Sequence, residues 1–225
     1  MSAYQRWGKR VLDLCVALPS LLLLLPVFFF CAVAVGLDSR GPILFRHIRV
    51  GRFGRPFRLL KFRTMVHQAA GKGSNLTVSG DPRITRSGQY LRRSKLDEIP
   101  QLLNVIAGHM SLVGPRPEVP EYVALYNPEQ AAVLQMRPGI TGAASVVFDN
   151  EELELSRHPL PHEYYVRTLM PRKLALDLSY ASAMCFKTDV KLLASTARKI
   201  LGAGLERFRR IEVTPTGNVD KWTRL

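Results

Sequence analysis

Residues 14–37 read LCVALPSLLLLLPVFFFCAVAVGL, a run of 24 residues without a charged side chain. As a straight α-helix, this run would extend for roughly 36 Å, which is enough to cross the hydrocarbon core of a bilayer. A cleaved signal peptide is a poorer explanation, because the apolar run is too long and no small-x-small cleavage site follows before Asp38. The run therefore predicts a membrane anchor.

The residues around and inside this run indicate how the anchor enters the membrane. Basic residues flank it on both sides, namely Arg6, Lys9 and Arg10 before it and Arg40, Arg46, Arg49, Arg52 and Arg55 after it. The positive-inside rule consequently assigns both ends to the cytoplasmic side. Pro26, in the middle of the run, lacks a backbone N–H and favours a kink. These features predict a re-entrant helix hairpin kinked at Pro26, with a single transmembrane helix as the alternative.

The composition favours one domain of ordinary size next to this anchor. The 225 residues include 32 Lys and Arg against 18 Asp and Glu, which gives a net charge of +14. Such a charge suits nucleic acid, anionic lipid or a polyphosphate substrate and does not choose among them. The three cysteines show neither disulfide nor zinc spacing, so a reducing, cytoplasmic setting is expected. We divide the chain into an anchor at 1–40, a compact cytoplasmic catalytic domain at 41–208 and a polar tail at 209–225.

Short periodic patterns in the remainder predict an α+β fold that is mainly helical. Alternating apolar residues indicate strands at 43–50 and 57–62, with a hairpin turn between them, and residues 69–81 predict a polar loop. Helical periodicity is found in three later segments, at 128–136, 174–183 and 189–201. The last segment is basic and amphipathic, so it lies either on the membrane surface or against the core. Its apolar stripe is expected at Val190, Leu193, Ala197 and Leu201.

Two adjacent carboxylates, Asp97 and Glu98, lie just before a predicted helix. Pro100 suits the first turn of that helix, which would end at Gly108. The positive end of the helix dipole keeps nearby carboxylates ionised. An ionised aspartate can act as a nucleophile or as a Mg²⁺ ligand, as phosphoryl transfer requires. On spacing alone, a capping box formed by Ser94 and Asp97 is the favoured alternative.

Several arginines lie in stiff turns on either side of this acidic pair. Arg92 precedes the pair, Arg116 lies between two prolines, and Arg137 comes directly before Pro138 and a glycine. Proline restricts the backbone, and guanidinium groups held in this way can bind a diphosphate in bidentate fashion. Alternatively, each is a surface arginine in a tight turn. Their grouping around the acidic pair favours a phosphate-binding site.

Five motifs along the chain carry a family resemblance. They are Lys9-Arg10-x-x-Asp13, Lys61-Phe62-Arg63-Thr64-Met65, Leu96-Asp97-Glu98-x-Pro100-Gln101-Leu102-x-Asn104-Val105, Gly108-x-Met110-Ser111-x-Val113-Gly114-Pro115-Arg116-Pro117 and Arg137-Pro138-Gly139-Ile140-Thr141-Gly142. On these motifs the chain resembles the bacterial sugar transferase family, the small monotopic phosphoglycosyl transferases that begin lipid-linked glycan assembly. The resemblance implies transfer of a phosphosugar from a UDP-sugar to a polyprenyl phosphate, with release of UMP, at the cytoplasmic face of the bacterial inner membrane.

The resemblance also implies roles for individual residues. Asp97 would be the nucleophile that forms a covalent phosphosugar–aspartyl intermediate, and Glu98 would join it in binding Mg²⁺. Other motif positions would bind phosphate or substrate, and these are Lys61, Arg63, Arg92, Arg116, Arg137 and Asp189. The implied partners are a UDP-sugar, undecaprenyl phosphate and membrane lipids, without nucleic acid, and a homo-oligomer is left open.

The chain departs from the family pattern in two places. Leu25 replaces the serine that precedes the kink proline, so the hydroxyl that could bond a freed carbonyl is absent. After Thr141 and Gly142, the chain lacks an arginine that is common in the family, which implies a different sugar or a different mode of recognition. The chief alternative function is a membrane-tethered basic adaptor for nucleic acid or anionic lipid, in which Asp97 and Glu98 are only helix caps.

Overall fold

The computed structural model describes residues 3–66, 77 and 80–205, with side chains described as far as 199. Helices dominate this part of the chain and two small sheets accompany them, in agreement with the predicted α+β class. The α-helices are α1 (Lys9–Leu23), α2 (Leu25–Asp38), α3 (Arg86–Ser94), α4 (Gln101–Ile106), α5 (Pro120–Val123), α6 (Pro128–Ala131), α7 (Ala143–Val147), α8 (Glu151–Ser156), α9 (Pro161–Tyr164), α10 (Met170–Ser182) and α11 (Phe186–Leu205). The strands are β1 (Leu44–Val50), β2 (Pro56–Phe62), β3 (Ser111–Val113) and β4 (Gly139–Thr141). Short π- or 3₁₀-helices lie at Tyr4–Gly8, Arg52–Gly54, Leu96–Glu98, Ala132–Gln135 and Tyr165–Leu169.

The apolar N-terminal segment forms two helices that meet at a bend of 61° around Leu24. The bend lies two residues before the predicted kink, because Pro26 takes one of the first two positions of α2, where its missing N–H costs no hydrogen bond. Backbone bonds still cross the break, from Leu24 N to Ser20 O at 2.9 Å and from Phe28 N to Leu24 O at 2.8 Å. None of the described helices alone is long and apolar enough to cross a membrane, whereas the bent pair Tyr4–Leu23 and Leu25–Asp38 meets both criteria together.

The bent pair of α1 and α2 is called the helix hairpin below. Arg63 attaches its C-terminal end to the rest of the protein. Its buried side chain follows directly after β2 and donates hydrogen bonds to backbone carbonyls around the end of α2. The acceptors are the oxygens of Val35 at 3.2 Å, Ser39 at 2.5 Å and Pro42 at 2.6 Å. The last carbonyls of a helix lack N–H partners within the helix. Arg63 supplies hydrogen bonds in this region that α2 itself cannot provide.

Polar side chains of α1 form a second attachment. Asp13 is 1% exposed and accepts hydrogen bonds from Leu112 N and Ser111 Oγ, both at 2.9 Å. Arg10 donates to the carbonyl oxygens of Val105 and Ile106, at 2.6 and 2.8 Å, where α4 ends. A cation at the C-terminal end of a helix also compensates the helix dipole. The first helix of the hairpin is therefore bonded to both α4 and β3.

The two sheets confirm one prediction and add a feature that was not predicted. β1 and β2 form the expected antiparallel hairpin, with Leu44 opposite Phe62. β3 and β4 pair in parallel. A Cβ atom on Gly139 would lie 2.1 Å from the nitrogen of Gly114, so the two backbones approach too closely for any other residue type. This contact packs the turn at 115–117 against β4.

Two hydrophobic clusters form the interior. The larger cluster joins the hairpin to the sheets and to α3 and α4, and its members include Ala17, Val35, Phe62, Leu91, Val105, Met110 and Val113. The rings of Phe28 and Phe62 add a direct contact, with centroids 4.8 Å apart. The smaller cluster packs α5, α8 and α10 together through Tyr122, Leu155, Tyr165, Leu169 and Leu174. The predicted anchor at 1–40 thus shares a core with the domain that follows it.

The later helices differ from prediction in their limits and in the face they bury. The segment at 128–136 is a short α6 followed by a 3₁₀ turn, and α10 and α11 begin earlier than predicted. In α11, Asp189 and Leu192 are buried, whereas Val190, expected on the apolar stripe, is 41% exposed. The buried face is shifted because Asp189 finds hydrogen-bonding partners in the interior. The predicted polar loop at 69–81 lies largely, and the tail at 209–225 entirely, outside the described residues.

Asp177 in α10 is a buried carboxyl group with little compensation. It is 4% exposed and accepts one hydrogen bond, from Ala144 N at 3.3 Å. Burial raises the pKa of Asp177 to about 7, because that bond and the charge of Lys173 only partly offset the lost hydration. The ionised form of Asp177 therefore weakens the folded state.

Asp177→Asn is expected to raise the melting temperature more at about pH 8 than at about pH 5. The pKa of Asp177 is about 7 in the folded state and 3.8 ordinarily, so the folded state binds more protons than the unfolded state between pH 3.8 and about 7. The folded state therefore loses stability as the pH rises through this range. Asparagine cannot ionise and can still accept the hydrogen bond from Ala144. Melting curves of both proteins across this pH range measure the effect, and an equal shift at every pH would contradict it.

Arg63→Met is expected to lower the free energy of unfolding by about 3 kcal/mol or more, because the carbonyls of Val35, Ser39 and Pro42 each lose a hydrogen bond to a buried charged donor. Denaturant unfolding in detergent measures the change. Arg58→Met is the matched control, since Arg58 lies on β2 with an exposed side chain. Equal unfolding midpoints for the two variants would show that the Arg63 bonds contribute nothing to stability.

Candidate active site

Asp97 and Glu98 lie on a single 3₁₀ turn between α3 and α4. α3 ends at Ser94, and Lys95 then reverses the chain with a left-handed φ of 58°. Pro100 follows the 3₁₀ turn and immediately precedes α4, so the helix begins where the sequence predicts. The two carboxylates are consequently held between two helices on a turn with little backbone freedom.

The capping-box interpretation is wrong. Ser94 Oγ donates a hydrogen bond to Tyr90 O at 2.7 Å, which turns the hydroxyl back into α3. No side chain caps either the 3₁₀ turn or α4. Asp97 and Glu98 are therefore not occupied as helix caps, and the adaptor hypothesis loses the role that it gave them.

Two cations converge on Glu98. Lys61 Nζ, near the end of β2, donates to Glu98 Oε1 at 2.7 Å and lies 3.8 Å from Asp97 Oδ2. Arg116 Nη2 donates to the same Oε1 at 2.8 Å. The side chains of Asp97 and Glu98 keep only 7% and 11% of their surface exposed. The structure thus brings four predicted site residues into one cluster.

Burial and neighbouring charges move the pKa values of the two carboxylates in opposite directions. Burial raises the pKa of Asp97, and the charge of Lys61 opposes this shift only in part. Burial would also raise the pKa of Glu98, but the charges of Arg116 and Lys61 outweigh it and hold this pKa well below its usual range. Glu98 is therefore the fixed counter-ion of the cluster, while the Asp97 carboxylate is less firmly engaged.

The oxygens of this pair suit a hard cation. Among the described residues, no hydrogen bond reaches Glu98 Oε2 or either oxygen of Asp97. Mg²⁺ is commonly held by one or two protein carboxylates and completes its shell with water and substrate phosphate. The part of the chain that the structure describes has no group of three or more His, Cys, Asp or Glu side chains arranged for a metal. Asp97 and Glu98 fit a magnesium ion that a bound phosphate helps to hold.

Arg92 of α3 also lies near the pair. Burial raises the pKa of Asp97, and the positive charge of Arg92 offsets a part of this rise. Arg92 Nη1 is 3.5 Å from Thr64 Oγ1. Its Nη2 forms an ion pair with Glu152, the second residue of α8. The sequence did not predict Glu152 as a site residue, because 60 positions separate it from Arg92 and no motif contains it.

The remaining predicted site residues lie outside this cluster. Arg63 bonds to carbonyls around the end of α2, and Arg137 Nε donates to Gly108 O at 3.1 Å. Asp189 is fully buried in α11. The groups that donate hydrogen bonds to Asp189 are Tyr4 Oη at 2.6 Å, Lys9 Nζ at 2.6 Å and Tyr180 Oη at 2.5 Å. Their proposed contacts with substrate stay predictions.

The turn that carries Arg116 is stabilised by its prolines and by the contacts of Glu118, which follows it. Prolines on both sides restrict its backbone, and Glu118 follows two residues later. Tyr165 Oη donates a hydrogen bond to the Glu118 carboxylate, which also forms ion pairs with Arg49 Nη1 at 3.5 Å and Lys173 Nζ at 3.6 Å. Arg116 is therefore placed against Glu98 by a turn that has little freedom to move.

Comparison with known proteins identifies relatives of this chain. The model of the bacterial sugar transferase family matches residues 4–203. A UDP-glucose:undecaprenyl-phosphate glucose-1-phosphate transferase of Caulobacter vibrioides is 39% identical over 196 residues, which cover 86% of this chain and 69% of that protein. An uncharacterized sugar transferase of Bacillus subtilis is 36% identical over 193 residues, which cover 86% of this chain and 87% of that protein. A UDP-N-acetylgalactosamine-undecaprenyl-phosphate N-acetylgalactosaminephosphotransferase of Aeromonas hydrophila is 37% identical over 161 residues, which cover 70% of this chain and 38% of that protein.

Arg116→Lys is expected to weaken UDP binding by roughly 10- to 150-fold, which corresponds to the loss of one charge-assisted contact of about 1.5–3 kcal/mol. A guanidinium can bond Glu98 and a phosphate together through its planar fork, whereas the lysine ammonium is a single point charge. Calorimetric titration with UDP and Mg²⁺ measures the affinity. Arg167→Lys is the control, because Arg167 is 78% exposed and paired only with Glu163 among the described residues. Unchanged affinity in Arg116→Lys would remove Arg116 from the phosphate site.

Proposed function

The chain belongs to the bacterial sugar transferase family, and on this premise we propose that it transfers a sugar phosphate from a UDP-sugar to undecaprenyl phosphate. Relatives named for UDP-glucose and for UDP-N-acetylgalactosamine support a UDP-sugar donor and leave the identity of its sugar open. One observation carries the proposal, namely that Asp97 and Glu98 lie beside the cations of Lys61 and Arg116. Cations fixed around a carboxylate pair are suited to bind a diphosphate.

Asp97 is the nucleophile of the proposed reaction. One of its carboxylate oxygens attacks the phosphorus that carries the sugar, and the bond from that phosphorus to the bridging oxygen breaks. UMP leaves with the electron pair of this bond, and the sugar phosphate stays on Asp97 as an acyl phosphate. A phosphate oxygen of the lipid acceptor then attacks the same phosphorus and releases the carboxylate. The support for this assignment is that the Asp97 oxygens accept no hydrogen bond within the described residues.

The neighbouring charges have distinct parts in this proposal. Glu98 holds Lys61 and Arg116 in place, and the remaining N–H donors of these two cations bind phosphate oxygens. Asp97 and Glu98 would hold Mg²⁺, which when bound neutralises phosphate charge and orients the donor. Arg92 contributes a further positive charge close to Asp97.

The proposal includes a position at the cytoplasmic face of the bacterial inner membrane, with the hairpin of α1 and α2 dipping into the bilayer. The bend of 61° supports it, as do the large apolar side chains that are exposed around that bend. These are Leu22, Leu23, Leu25, Phe29 and Phe30. A domain resting on the membrane in this way would meet the phosphate of a polyprenyl lipid at the bilayer surface.

Asp97→Asn is expected to abolish UMP release from UDP-sugars, because an amide does not form the acyl phosphate. Glu98→Gln should also lose most activity, since the metal and the two cations lose their anionic partner. The assay combines purified protein, Mg²⁺ and undecaprenyl phosphate with a panel of UDP-sugars, and quantifies UMP against UDP. Formation of UDP as the nucleotide product would contradict the proposed function.

Intact-mass measurement tests the covalent step separately. Wild-type protein mixed with donor and Mg²⁺, without acceptor, should gain the mass of one sugar phosphate, and Asp97→Asn should gain nothing. If no adduct formed without acceptor and UMP appeared only after undecaprenyl phosphate was added, transfer would proceed directly between bound donor and acceptor.

The two ends of the hairpin are expected to face the same side of the membrane. Ala3→Cys and Arg40→Cys, each in a background that lacks Cys15, Cys31 and Cys185, place a thiol at an exposed position on either side of the hairpin. An impermeant thiol reagent should label both positions from the cytoplasmic face of sealed vesicles. Labelling of the two positions from opposite faces would establish a single span instead.

A further inference from the structure

α8 is held in a defined position beside the active site. Glu151 accepts a hydrogen bond from Lys173 Nζ at 2.8 Å, and Glu154 accepts one from Tyr164 Oη at 2.6 Å. Just before the helix, Asp149 binds Lys199 Nζ at 2.6 Å. These contacts attach α8 and the residue before it to Lys173, Tyr164 and Lys199.

Glu152 extends from this anchored helix to Arg92. Its carboxylate pairs with Arg92 Nη2, and its side chain remains 49% exposed. It is therefore paired and still accessible to a ligand. A carboxylate that is held in place and accessible can accept hydrogen bonds from a ligand at little entropic cost.

The guanidinium of Arg92 can serve two anionic partners at once. It carries five N–H donors in a planar fork. Arg92 Nη2 is bound to Glu152, whereas Nη1 has a long contact of 3.5 Å with Thr64 Oγ1. The remaining N–H groups of Arg92 can therefore donate to a phosphate oxygen. A phosphate and a carboxylate that share one guanidinium lie on the order of 5 Å apart. A hexose joined to that phosphate would bring its hydroxyl groups within reach of Glu152.

From this arrangement we infer that Glu152 binds a hydroxyl group of the donor sugar and contributes to the choice of UDP-sugar. The inference rests on the proposed function, because it takes the sugar-bearing phosphate to lie between Asp97 and Arg92. The chemistry is complementary, since an ionised carboxylate only accepts hydrogen bonds and a sugar hydroxyl donates one. A site that is built to bond a hydroxyl rejects donors that lack it, because the carboxylate is then left without its partner.

The test compares donors that differ by one hydroxyl group. UMP release is measured for wild type and for Glu152→Ala with the UDP-sugar that wild type uses best, and with analogues in which single hydroxyl groups are replaced by hydrogen. For one analogue, wild type should lose about tenfold or more in kcat/KM. Glu152→Ala should use this analogue and the complete donor almost equally well. Melting curves establish that the variant is folded.

Glu163→Ala is the matched control, because Glu163 is exposed to nearly the same extent as Glu152, lies outside α8 and pairs with Arg167 instead of Arg92. It should discriminate against the analogue as strongly as wild type does. Full discrimination in Glu152→Ala would overturn the inference, whatever its overall rate. An equal gain in kcat/KM for all donors would also overturn it, since Glu152 would then only compete with phosphate for Arg92. If wild type released no UMP from any donor, the proposed function itself would fail, and the inference with it.

Discussion

The hydrogen bonds from Arg63 to the carbonyls around the end of α2 connect the bent helix pair of α1 and α2 to the domain that follows it. Arg63 is 4% exposed, so its charge is stabilised by those carbonyls and not by water. Lys61, two residues earlier, donates a hydrogen bond to Glu98 in the candidate active site. One short stretch of chain therefore contacts both the end of α2 and the Asp97–Glu98 pair.

Carboxylates hold the cations of the candidate site in place. Glu98 holds Lys61 and Arg116, and Glu152 holds Arg92. Side chains as long as lysine and arginine lose much conformational freedom when they bind a ligand, and this loss is smaller when they are already ordered. The excess of positive charge in the sequence therefore does not act as a diffuse field at this site. It acts through a few cations whose positions are set by acidic partners.

The sequence predicted those features of the fold and site that depend on local patterns. The β-hairpin was predicted because alternation and turn residues are local, and Asp97 and Glu98 because a proline marks the start of the helix that follows them. The bend between α1 and α2 was predicted two residues too late in the chain, since a proline early in a helix stabilises the start of that helix. Contacts between segments that are distant in the chain produce no local sequence pattern, so they were not predicted. The pairing of Arg92 with Glu152 and the buried face around Asp189 belong to this group.

The contact between Lys9 and Asp189 also constrains the order in which the protein can assemble. The two residues are 180 positions apart, so a ribosome that adds roughly 5–20 residues per second needs roughly 10–40 s to pass from one to the other. Early in this interval α1 and α2 are completed, whereas α11 does not yet exist. Lys9 therefore waits for its carboxylate partner until nearly the whole domain has been synthesised.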